Sequence, residues 1–82
     1  GPSYAKHVEG RVTQNDTTLY GAYFLIQSLR VQEDGQQAKP LYTALFFPRI
    51  AHPRRTYNFI IAPKTGLILD FQEISATTSN TQ

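Results

Sequence analysis

The sequence predicts an all-β domain, a small five-stranded antiparallel meander rolled into a barrel-like sheet. Turn residues cut the chain into five segments, and strand-favouring residues fill those segments. The last two segments also alternate apolar and polar residues with the period of a half-buried strand. At 82 residues the chain has room for one domain.

The first segment, residues 6–13, is expected to close at Gln14-Asn15-Asp16, a run of turn formers. The second, residues 17–32, ends at Glu33-Asp34-Gly35 and holds Tyr20, Tyr23, Phe24, Ile26 and Val31, all of which favour strands. Leu19, Ala22, Tyr23, Ile26 and Leu29 also fall on a helical stripe, with Asp16 placed to cap it. Phe24, Leu25 and Val31 lie off that stripe, so strand is the preferred reading. The alternative is α+β, with one helix at about residues 17–33 packed on an antiparallel sheet. The third segment, residues 41–47, is apolar on both faces apart from Thr43, as a central strand would be.

Residues 48–55, with Pro53 inside, separate the third segment from the fourth. In the fourth, Tyr57, Phe59 and Ile61 share one face. In the fifth, Leu67, Leu69 and Phe71 do so, with Asp70 and Gln72 opposite. Pro63-Lys64-Thr65-Gly66 joins the two as a hairpin, because Pro fixes φ at about −65° and Gly accepts positive φ. Tyr57-x-Phe59-x-Ile61 followed by Pro63-x-Thr65-Gly66-x-Ile68-Leu69 is similar to the terminal hairpin of PepSY-type and other small bacterial extracytoplasmic modules. The likeness is confined to residues 57–73 and assigns no family.

At the ends, Gly1-Pro2-Ser3 reads like the scar left by a tag-removing protease and is set aside. Residues 4–74 form the expected globular domain. Residues 75–82 contain only Ser, Ala, Thr, Asn and Gln and are expected to be a disordered polar tail.

The composition, 40% hydrophobic and 17% charged, is that of an ordinary folded protein. Five tyrosines and five phenylalanines must supply much of the core. Cysteine is absent, which excludes disulfides and thiol-ligated zinc but leaves the compartment open. No apolar run approaches the ~20 residues of a membrane-spanning helix. The net charge of +2 is too small to argue for nucleic acid by itself.

Charge placement is uneven. Residues 35–69 contain no Asp or Glu but carry Lys39, Arg49, Arg54, Arg55 and Lys64. Arg49, His52, Arg54 and Arg55 share one Pro-stiffened loop, and planar guanidinium groups can grip a carboxylate or phosphate through paired hydrogen bonds. The plainer reading, a solvated loop, stands beside it. Tyr20, Tyr42 and Tyr57 are candidate stacking platforms if their rings face outward. The candidate binding set is therefore Arg49, His52, Arg54, Arg55, Lys64 and Tyr57.

His7 and His52 lack neighbours at metal-ligand spacing, and Ser28 lacks the glycines of a nucleophile elbow. No catalytic, metal-ligating or cofactor-binding residue is assigned, and no cofactor is expected. Asn15-Asp16-Thr17 fits the N-glycosylation acceptor pattern in an expected turn.

The sequence is read as a non-enzymatic protein-interaction module of a larger or membrane-associated bacterial protein, on the periplasmic or secreted side. Its partner would be another protein, pairing with a sheet edge or presenting an acidic surface to the basic loop 49–55. The alternative is a small β-barrel that binds single-stranded nucleic acid through basic and aromatic residues.

Overall fold

A computed structural model describes residues 5–45 and 47–74. Those residues form five strands, β1 (Lys6–Tyr20), β2 (Phe24–Glu33), β3 (Leu41–Leu45), β4 (Thr56–Ala62) and β5 (Leu67–Glu73), with no helix among them. The all-β expectation holds, and the helical alternative for residues 17–33 does not. Phe24, Leu25 and Val31 lie in β2, where Gln27, Leu29 and Val31 point inward at alternate positions. The expected polar tail, residues 75–82, lies outside the described residues.

The sheet is a closed barrel in the order β1-β2-β3-β5-β4, not a meander. β1, β2 and β3 follow one another as antiparallel neighbours. The chain then crosses to the far side of β1, where β4 pairs antiparallel from Lys6↔Ile61 to Arg11↔Thr56. The spatial order β4-β1-β2-β3 is a Greek key. β5 closes it, pairing antiparallel with β4 and parallel with β3 at Thr43↔Leu67 and Ala44↔Ile68. The sheet is thus mixed where the sequence reading expected it all antiparallel.

Two bulges shape the barrel. In β1 the register shifts between Val12 and Gln14, leaving Thr13 extra, and its hydroxyl donates to the Arg30 carbonyl at 3.3 Å. A bulge bends its strand and sharpens its twist. This one replaces the turn expected at Gln14-Asn15-Asp16, and β1 continues to Tyr20. The chain reverses at Gly21-Ala22-Tyr23 instead, where Gly21 takes φ 67°.

The second bulge lies in the closing hairpin, where Ile60 pairs with Asp70 and Ile61 with Ile68. Leu69 is left extra and points out. Ile68 and Phe71 therefore face the core, so the expected inward face of Leu67, Leu69 and Phe71 is corrected to Ile68 and Phe71. The turn itself is as expected: the Thr65 and Gly66 amides both donate to the Ala62 carbonyl, and Gly66 takes φ 70°.

The core comprises Val8, Val12, Leu29, Val31, Ala44, Phe59, Ile61, Ile68 and Phe71, with Tyr42, Ala51 and Tyr57 around it. Gly10 is built into this packing, since a Cβ there would overlap Val31 Cγ1 and press on the Gln32 carbonyl. Phe71 joins Phe47, Tyr57 and Phe59 in an aromatic group with centroid separations of 5.2, 5.6 and 6.2 Å. Offset and edge-on rings at such spacings attract one another beyond simple area burial.

Candidate interaction surface

The loop between β3 and β4 covers one end of the barrel, and a buried amide holds it there. Gln27 is fully buried on β2. Its Oε1 accepts from the Ala51 amide at 2.9 Å and from Asn15 Nδ2 at 3.1 Å, while its Nε2 donates to the Arg49 carbonyl at 2.8 Å. Asn15 Nδ2 also donates to the Ala51 carbonyl at 2.7 Å. Ala51 is thereby pinned as a plug with no exposed surface. The nitrogen to which a glycan would attach on Asn15 is committed to this network, and Asn15 lies on a strand rather than in the expected turn.

The basic residues of the loop fall to three different uses. Arg49 lies over the Phe71 ring at 4.5 Å from its centroid and donates to the Phe71 carbonyl at 2.7 Å and to Asp70 Oδ1 at 3.0 Å. It is a staple between the loop and β5. Arg55 pairs with Glu73 at 3.4 Å. His52 donates its backbone N–H to the Tyr57 hydroxyl at 2.8 Å, so Tyr57 is a buried residue fastening the loop and not a stacking platform. Arg49, His52, Arg55 and Tyr57 do line one open cleft of about 400 Å³, together with Glu73. Asp70 and Glu73 balance its two guanidinium charges.

Arg54 differs. It is exposed, and none of the described residues is a partner for its guanidinium. His52-Pro53-Arg54-Arg55 is a β-turn closed by the Arg55 amide on the His52 carbonyl at 3.3 Å, with Arg54 at φ 71°. Pro second and positive φ third define a type II turn, whose third place normally takes Gly or Asn. Lys64 stands elsewhere, beyond the seven residues of β4 and therefore ~20 Å along the strand from Arg55. The acid-free stretch of sequence is not one patch in space.

What the sequence reading did not locate is the β1–β2 ribbon. β1 has 15 residues, but β4 accompanies it only as far as Arg11, and the turn at Arg54–Arg55 continues to Val12. From Gln14 to Tyr20 its sole strand neighbour among the described residues is β2. The hydrogen-bond phase of that segment follows from β2. The Val31 amide bonds toward β3, at the Pro40 carbonyl, so Leu29, Gln27 and Leu25 also turn their backbone groups to that side. Their partners Asn15, Thr17 and Leu19 accordingly direct N–H and C=O outward along an open edge.

Beyond this edge the ribbon ends in apolar side chains. Leu19, Tyr20, Tyr23 and Phe24 expose 61, 65, 87 and 48% of their surface. No charged residue lies between Asp16 and Arg30. A run of Leu, Ile, Tyr and Phe at paired strand positions around a glycine reversal was a readable sign of such a tip; the expected turn at residues 14–16 hid it.

Described residues include no helix long and apolar enough to cross a membrane. Comparison with known proteins gives no family model, no curated protein and no solved structure that matches the chain significantly.

Proposed function

We propose that the protein is a non-enzymatic protein-interaction module that accepts an extended segment of its partner on the open edge of β1. Main-chain hydrogen bonds from Thr17 and Leu19 would hold the added strand, and the apolar tip would anchor it. The observation that carries this reading is the edge of residues 14–20, which has no second strand neighbour among the described residues, on a strand paired on both sides below it. Proteins usually blunt such edges with charged side chains, Lys above all, or with Pro or an outward bulge; between Gln14 and Tyr20 the one charge is Asp16, and there is no Lys, Pro or bulge. Exposed large apolar side chains gathered at the ribbon tip next to the edge are themselves a mark of an interaction site.

Of the two surfaces the sequence suggested, the edge has the better support. Arg49 and Arg55 already have acidic partners within the fold. Membership of a larger or membrane-associated, extracytoplasmic bacterial protein belongs to the same proposal. Fractionation of the source cells tests it.

Binding of single-stranded nucleic acid is the second reading. Five-stranded Greek-key barrels of the oligonucleotide-binding type use the outer face of their second and third strands. Here the inward-facing Gln27, Leu29, Tyr42 and Ala44 place Phe24, Ile26, Ser28, Arg30, Leu41, Thr43 and Leu45 on that face. Its surface is apolar, with Arg30 as its cation, and this favours a protein partner. Retention on single-stranded DNA or RNA at low salt, with log K falling about 0.7 per phosphate neutralised, would favour the second reading.

Thr17→Pro tests the first. Proline removes an outward-facing N–H and leaves the bonds of β1 to β2 in place, because proline is tolerated at a sheet edge. The wild-type protein should capture its partner from an extract of the source cells, and the folded variant should not. Equal capture by both would contradict the edge as the binding site.

A further inference from the structure

The edge and the turn at Arg54 are one continuous line. β4 runs antiparallel to β1 and stops pairing at Arg11↔Thr56, and the Arg54 amide and Arg55 carbonyl bond Val12 immediately above it. A strand added antiparallel to β1 at Thr17 and Leu19 would lie in line with β4, filling the place β4 leaves. Its chain direction is then fixed: its C-terminal end arrives at Arg54.

Arg54 is an unusual residue for its position. Left-handed backbone costs a side-chain-bearing residue about 1–2 kcal/mol, and glycine would avoid that strain. The side chain makes no compensating hydrogen bond or ion pair among the described residues. Strain of this kind clusters at functional sites. Within residues 14–20 the one charge is Asp16, whose carboxylate accepts from Gln14 Nε2 at 3.1 Å, so Arg54 is the cation that an incoming strand meets at its end.

We infer that the segment recognised on β1 is an acidic-ended strand, with β-forming residues along Thr17 and Leu19 and a carboxylate at its C-terminal end against Arg54. The inference rests on the edge-binding proposal and adds the chemistry and the direction of the partner. An ion pair at this exposed position contributes a modest factor, about two- to fivefold in affinity at low salt. Its larger effect is to select one strand direction and discourage basic partners.

The test uses two fluorescent peptides, Thr-Val-Thr-Val-Thr-Asp-Glu with a free carboxylate and Thr-Val-Thr-Val-Thr-Asn-Gln with an amide end, titrated by anisotropy against the whole chain. Wild type should prefer the acidic peptide about two- to fivefold, and the preference should fade by 0.5 M salt. Arg54→Gly should abolish the preference while raising the melting temperature by roughly 2–5 °C, because strain is relieved. A merely structural Arg54 would lose stability on the same change. Thr17→Pro should weaken both peptides equally.

If Thr17→Pro abolishes binding but the two peptides bind alike, the edge stands and the role of Arg54 is overturned. Binding unaffected by Thr17→Pro, or no binding of either peptide by wild type, overturns both.

Discussion

A buried glutamine decides how the loop between β3 and β4 sits. Gln27 has no exposed surface, yet its amide satisfies the buried Ala51 N–H and the partly buried Arg49 carbonyl. Losing such a hub costs more than one average hydrogen bond, because each orphaned group bears its own desolvation penalty. Gln27→Leu should therefore destabilise the protein by about 2–4 kcal/mol in urea denaturation despite its greater hydrophobicity. An unchanged midpoint would show that the loop does not depend on this amide. Tyr42 offers a second check. Burial, and secondarily the negative charge of Glu33, hold its phenol above the ordinary value of 10.0. The neutral form is thus favoured in the folded state. The stabilisation is present below pH ~10 and is lost as pH rises from the unfolded-state value through the folded one. Tyr42→Phe should flatten the alkaline fall in stability above pH ~10, as measured by denaturant midpoints.

Strands were legible in the sequence where alternation was clean. Tyr57, Phe59 and Ile61 face inward as their spacing requires, and Pro63 to Gly66 turns the hairpin. The bulges were not legible, because a bulge inserts one residue without changing composition. The β5 bulge sends Leu69 outward and leaves Ile68 and Phe71 inside. Leu69→Ser should accordingly change stability by less than ~1 kcal/mol, whereas Ile68→Ala should cost about 2–4 kcal/mol. Calorimetry of the two variants separates the observed register from strict alternation, which reverses the order. In β1 the sequence Gln14-Asn15-Asp16 carries turn chemistry, but the Asn15 amide bonds Gln27 and Ala51, which are distant in sequence. Tertiary contacts overrode local preference there, and the candidate edge went unseen with it.

Taken together, the closed barrel and the projecting ribbon divide structural from candidate binding residues. The barrel absorbs Arg49, Arg55 and Tyr57 of the sequence-derived set in internal contacts, with His52 beside them in the cleft; Lys64 lies at the far hairpin turn, and Arg54 borders the open edge. Charge clustering along the chain could locate that loop but could not tell a guanidinium stacked on Phe71 from one facing solvent. Topology supplied the rest. β1 is paired on both sides where it belongs to the barrel and on one side where it leaves it, and the exposed tip lies at its end. The proposed function stands on a partner strand pairing with this edge. Amide hydrogen exchange resolved by residue, with and without the saturating acidic peptide, tests it most directly. Strong new protection is expected at Thr17 and Leu19, with Thr18, already bonded to β2, little changed. Protection confined to the β2–β3 face or to the turn at Lys64, with Thr17 and Leu19 exchanging as before, would contradict it.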